Sequence, residues 1–360
     1  MLKFLLAAAG LVASAGGATA ATIVLTVGGP SGNYPTIAAA VAVANSDTNP
    51  ANDYVISIAP GTYTNDTAEV TRPMTIQAAV PSPAVILNQT TALANRKGIL
   101  LKDVGPLVVD GLTFENAAIS HDDGGNGAGI RDQDIHGGSL TVRNSTFINN
   151  QMGILTNADP TEDVVLTNNL FMNNGNLDAS RFGHAVYVGA VNSLTAMSNE
   201  VCGTNIGHDI KSRAAANMIS NNTLYDGAQD ANQPTCNIGS SSYALDLPNG
   251  GVAVVTGNTM IQGNGSPNFY MFAYGEEGLI YPTNSISFSN NVMDNTVPGI
   301  AAILDPADIP ITGSGNIFSD TINPISTPSD AAAGLTQSPA PPPPPPPSHS
   351  HPQRGLGHHG

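Results

Sequence analysis

Tryptophan is absent from this 360-residue chain, cysteine occurs twice, and cations are scarce: 11 Lys and Arg face 27 Asp and Glu, for a formal charge of −16. Each shortage excludes something. So acidic a chain lacks the clustered cations that neutralise a phosphate backbone, so nucleic acid is not expected as a partner. Two cysteines, Cys202 and Cys236, cannot build a disulfide scaffold, although they can form one bridge. Charged residues make up only 11% of the chain, and an amphipathic helical bundle needs more than that for its wet faces. Beyond the N-terminus no run reaches about 20 apolar residues, which excludes a transmembrane helix. Ser-His-Asp, phosphate-loop and zinc-ligand spacings are also missing.

Gly, Asn, Ser and Thr are abundant instead. Residues 1–20 read as a secretory signal: Lys3, a short apolar stretch, then small residues at Ala18–Ala20. The expected location is therefore secreted, periplasmic or at the cell surface, where a Cys202–Cys236 disulfide is permitted as a corner staple. Residues 21–325 form the expected globular part. From about residue 326 the composition shifts to a Pro/His-rich tail, 326–360, in which Pro341–Pro347 predict a stiff polyproline II spacer. Its histidines, His349, His351, His358 and His359, are either weak metal ligands or incidental.

Internal repetition decides the fold. "LVVDGLTFENA" (Leu107–Ala117), "LTVRNSTFINN" (Leu140–Asn150), "VVLTNNLFMNNG" (Val164–Gly175) and "ANMISNNTLYDG" (Ala216–Gly227) share one pattern, continued from Val252 and from Ser285. Apolar and polar residues alternate, the chain turns through Asn or Gly, and one more apolar residue follows. Period-two alternation predicts half-buried strands. Aligning the units puts Asn169, Asn199, Asn222, Asn258, Asn291 and Asn316 in one column, able to pass side-chain hydrogen bonds from turn to turn. A second strand precedes each unit, in "GAGIRDQ", "MGILTN", "HAVYVG", "HDIKSR" and "YALDLP".

On these repeats the chain resembles the right-handed parallel β-helix proteins of the pectin-lyase-like superfamily. "YPTIAAAVAVANSDTNPANDYVISIAPGTYT" (Tyr34–Thr64) is similar to that superfamily's entry segment, which implies a short helix capping the coil, with Ile37, Val41 and Val43 as its apolar side. An open solenoid end needs such a cap. "NGAGIR", "GHDIKSRA" and "LDLPNGG", in this order, narrow the resemblance to secreted bacterial β-helix-repeat proteins, a group named for its fold and not for an activity.

Function on such a coil is expected from outward side chains stacked about 4.8 Å apart per rung. With Ile130, Ile154, Val186, Ile210 and Leu245 inward, the outward row is Arg131, Leu155, Tyr187, Lys211 and Asp246. Asp209 and Arg213 lie two residues either side of Lys211 and are expected to face the same way. Tyr187 offers a ring to a sugar, while Lys211 and Arg213 can meet a uronate carboxylate. Arg131, Tyr187, Asp209 and Asp246 are thus substrate-binding candidates for an acidic polysaccharide, and Lys211 and Arg213 catalytic ones. In β-elimination or epimerisation Lys211 is the base if Arg213 lowers its pKa. "IKSRAAANMISNNT" is similar to a stretch of the alginate-lyase and chondroitinase-B type lyases, which implies that base role for Lys211. Those enzymes place an acid Arg one rung onward, where this chain reads "LDLPNGG". The alternative is a non-catalytic glycan-binding or surface protein, with the charges forming an exposed ion-pair cluster.

Asp122, Asp123 and Asp132 lie in a Gly-rich stretch, Ser120–His136, whose carboxylates suit Ca²⁺, although no EF-hand spacing is present. They also offer carboxylate pairs for glycoside hydrolysis, ranked below elimination because the polygalacturonase pattern is missing. His184 and His208 each follow Gly and read as packed turn residues. Glu276 and Glu277 in "YGEEG" read as a rung-edge turn.

Overall fold

A computed structural model describes residues 21–82, 84–175, 183–295, 300–319 and 322–323. The expected signal segment, 1–20, and the expected Pro/His-rich tail, 326–360, lie outside the described residues. Strands wind into three all-parallel sheets of 11, 10 and 10 members. Sheet A runs from Thr22–Val27 to Ile311–Thr312, sheet B from Gly61–Thr64 to Ile317–Phe318, and sheet C from Ala68–Val70 to Ile322–Asn323. From Asp53–Ile58 onward successive strands visit A, B and C in turn, so the chain is a parallel β-helix.

Its core is the inward column of each sheet. In sheet B the rings of Phe114, Phe147 and Phe171 stack at 4.9 and 4.8 Å, because parallel pairing puts each directly opposite the next. The Asn column is continuous from Asn169 to Asn316. Each side-chain Oδ1 accepts from the backbone N–H and the Nδ2 of the preceding rung's Asn, at 2.9–3.2 Å. The A-to-B bend needs this column because the residue before each Asn takes a left-handed φ, as at Asn168, Asn221 and Asn290 (55–57°), which turns the next amide out of the sheet ladder. Asn and Gly tolerate that region best. A second, shorter ladder links Asn150 Nδ2 to Asn174 Oδ1 at 3.0 Å on the B-to-C bend.

One helix, α1 (Ile37–Ser46), closes the N-terminal end. Thr36 caps it, and both Asp66 oxygens accept from its first amides, Ile37 and Ala38, at 2.6 and 3.0 Å, satisfying donors a helix leaves open. Ile37, Ala40, Val41 and Ala44 seal the core. Val43 does not: it is 41% exposed, being on the opposite side of a 3.6-residue turn from Val41. Cys202, last in the strand Glu200–Cys202, is disulfide-bonded to Cys236 across a Cα separation of 6.1 Å. Among the described residues no helix is long and apolar enough to cross a membrane.

Candidate functional site on sheet C

Pairing in sheet C sets Arg131 opposite Leu155, Leu155 opposite Tyr187, Tyr187 opposite Lys211, and Lys211 opposite Asp246. Ala273 continues the row one rung on. The row's centre is a network of charges. Lys211 Nζ lies 2.6 Å from Asp246 Oδ2 and 3.1 Å from Glu277 Oε1. Arg213 Nη2 lies 2.6 Å from the other Glu277 oxygen, Oε2. Arg213 Nε donates to the Tyr187 hydroxyl at 2.8 Å, and its Nη1 donates to Asn249 Oδ1. Two cations on alternate residues of one strand end thus hold both oxygens of a single carboxylate.

Beneath them sit groups suited to moving a proton. Glu276 is pushed up to about 8 by burial and by the hydrogen bond it shares with Asp246, so it is a neutral acid at pH 7. His208 Nε2 approaches Asp246 Oδ2 at 3.1 Å, yet burial holds this imidazole down at about 4, against the pull of Asp246. His184, His208 and Tyr243 form a ring column spaced at 5.0 Å, and His184 Nδ1 accepts the His208 backbone N–H at 2.9 Å. Burial lowers His184 well below the usual imidazole range. Both histidines are packed turn residues, and His208 also borders the charge network.

Several sequence expectations are revised here. Arg213 was to depress Lys211, but the Lys211 pKa moves upward: burial favours the neutral amine, and Asp246 and Glu277 outweigh it. A resting Lys211 is therefore an ammonium. Asp209 does not share the shelf. It precedes the strand Ile210–Ser212, where period-two facing no longer applies, and it is fully buried with its pKa raised by burial and by Asp226. Arg131 lies two rungs from Tyr187 with Leu155 between them, roughly 10 Å along the sheet, and makes no ion pair with the network. Asp122, Asp123 and Asp132 do not converge. Asp132 has the inward parity of Ile130 and joins buried Lys102, Asp134 and Glu162; Asp123 pairs with Arg96 at 3.1 Å, and Asp122 is exposed. Among the described residues no set of three or more His, Cys, Asp or Glu side chains is placed to hold a metal.

Glu276 and Glu277 complete the site: "YGEEG" is the expected turn, with the Gly278 N–H donating to the Gly275 carbonyl at 3.0 Å, but the turn reading gave the two acids no part in the site. They lie past the end of the strand Tyr270–Tyr274, where strand parity no longer says which way a side chain faces, and backbone bonds to Pro248 and Asn249 set their path.

A separate groove of 520 Å³ lies on the A-to-B bend, lined by Gln77, Asp110, Asn144, Thr146, Asn168 and Glu200 among others. Its charges are already answered. Asp110 accepts from Arg143 and Asn144 at 2.8 and 2.7 Å, and Glu200 is pushed up to about 8 by burial and Asp230. Ionisable side chains converge instead on sheet C, which makes that face the candidate site.

No protein-family model matches the sequence, and no curated protein matches it. Among solved structures the chain is similar to a pectin methylesterase from Aspergillus niger, with 13% identity over 83% of this chain and 78% of that one, at a TM-score of 0.34.

Proposed function

We propose that this exported β-helix protein acts on an acidic polysaccharide at the Lys211–Arg213 face, by β-elimination or epimerisation. One observation carries the reading: Lys211 and Arg213 grip the two oxygens of one carboxylate at 3.1 and 2.6 Å, which is the recognition a uronate requires. Both reactions begin by removing the proton next to that carboxylate, and cations aimed at it stabilise the charge that develops. Lys211 becomes a base by passing its own proton to Asp246, 2.6 Å away. It then takes the sugar proton; in elimination neutral Glu276 supplies one to the departing oxygen, and in epimerisation solvent water returns one to the opposite face of the ring.

Incubation with alginate, pectate and glycosaminoglycans tests this, following absorbance of unsaturated product and deuterium uptake at C5 in heavy water. Elimination predicts the first signal and epimerisation the second, each lost in Lys211→Ala. Neither signal with any polymer would leave the alternative, a glycan-binding surface protein, which the fully ion-paired state of both cations favours. Signal that survives Lys211→Ala would place the chemistry elsewhere.

A further inference from the structure

Glu277 belongs to a surface excursion between the sheet C strand Tyr270–Tyr274 and the sheet A strand Ser285–Ser289. Its side chain is 45% exposed, against 9% for Lys211, so the acid lies over the cations from the solvent side. The excursion is pinned to the preceding rung. Glu277 and Ile280 donate backbone N–H groups to Pro248 and Asn249 carbonyls at 3.0 and 3.2 Å. Asn249, which accepts from Arg213, also donates to the Gly278 carbonyl, and the Tyr281 hydroxyl donates to the Arg213 carbonyl. Burial alone would raise Glu277, but Arg213 and Lys211 hold it below the usual range, so it stays ionised. Leu279 and Ile280 are exposed at the tip, 37% and 58%.

Resting on the acidic-glycan reading above, we propose that Glu277 is an internal stand-in for the ligand carboxylate and that the segment Gly275–Asn284 keeps the site occupied until an acidic chain displaces it. The chemistry on both sides of the exchange is equal. A carboxylate leaves and a carboxylate enters, and no charge is orphaned, because Lys211 keeps Asp246 throughout. An ion pair this exposed contributes little on its own, so the resistance to displacement comes from the few backbone and side-chain bonds that hold the segment to the preceding rung. A seat filled by its own acid about nine-tenths of the time weakens apparent affinity about tenfold.

Calorimetric titration with tetramers of galacturonate and mannuronate, with cellotetraose as an uncharged control, reads this out in wild type and Glu277→Gln. The glutamine variant should bind an acidic tetramer about tenfold more tightly, with unchanged melting temperature and no gain for cellotetraose. Amide exchange at Glu277 and Ile280 in the wild type should speed up when the tetramer binds. Wild-type binding that the variant leaves equal or weakens overturns the stand-in role while sparing the acidic-glycan reading. No binding of either acidic tetramer by either protein overturns both.

Discussion

Replacing Asn222 with Ala tests the physical basis of the coil at one atom group. The Asn222 side chain takes part in four hydrogen bonds. Its Oδ1 accepts the Asn199 backbone N–H at 2.9 Å and Asn199 Nδ2 at 3.0 Å, and its Nδ2 donates to the Ala196 carbonyl and to Asn258 Oδ1, both at 2.9 Å. All of these atoms lie where water does not reach, since Asn222 is 1% and Asn258 0% exposed. Alanine leaves the Asn199 N–H and the Ala196 carbonyl without partners. At about 1–3 kcal/mol for each buried orphan, the expected loss is ~3–5 kcal/mol. Asn168→Gly is the matched control. Asn168 is exposed, its amide makes one bond to Asn144 at 2.8 Å, and glycine accepts its φ of 55°, so its cost should stay within ~1 kcal/mol. Urea titration gives both numbers, and amide exchange at Asn199 and Ala196 shows whether the damage is local to that rung. Equal midpoints for the two variants would refute the idea that buried amide satisfaction, and not Asn content, holds the bends.

Stability should fall as pH rises between about 6.5 and 8.5. Burial, aided by a neighbouring carboxyl, pushes Glu162, Glu200 and Glu276 up to about 8, so the folded chain binds protons there that the unfolded chain has lost. The opposing pair, His184 and His208 held neutral, acts only below about pH 6.5. Even one such proton carried through the window costs ~2 kcal/mol, and a melting temperature that is flat or rising across it would contradict the buried acids. Substituting both Cys202 and Cys236 with Ser opens a loop of sequence separation 34. The expected loss is ~2–4 kcal/mol, with exchange rising first in residues 227–243, and unchanged stability would show the bridge to be idle. Arg213→Gln should abolish oligouronate binding with little change in melting temperature, because Tyr187 and Glu277 are partly exposed and Asn249 keeps its bond to the Gly278 carbonyl. Lys211→Met should also lower stability, because it strips the cation from Asp246, which is fully buried. Equal effects of the two on stability would place Asp246 in water.

Which parts of this were legible from the sequence follows from what sets each one. Strand parity and the Asn column are dictated by local alternation, and a period of two leaves little freedom once one face is buried. Hence the row Arg131, Leu155, Tyr187, Lys211, Asp246 was countable in advance. Errors gathered at the corners, where the count has no strand to follow. Asp209 sits one residue before its strand and turns to Asp226, while Asp132 obeys the inward parity of Ile130 and so leaves the acidic loop it was grouped with. Glu276 and Glu277 belong to an excursion whose path depends on bonds to Pro248 and Asn249, and nothing in "YGEEG" alone announces those.

The same division explains why the charge network can exist at all. Inward positions are closed to change: a rung's apolar residue touches the rungs above and below, and its Asn serves two neighbours. Outward side chains on sheet C take no part in the Asn ladders, so Lys211, Arg213 and Asp246 bond to one another and to nearby groups, Tyr187, His208, Asn249 and Glu277. A protein poor in cations has nevertheless set two of them two residues apart and surrounded them with three acids, Asp246, Glu276 and Glu277. Two acids would suffice to neutralise two cations. The third, Glu276, keeps its proton at pH 7 because burial and Asp246 leave it no reason to ionise, and in the function proposed above that proton is the one delivered to the departing oxygen.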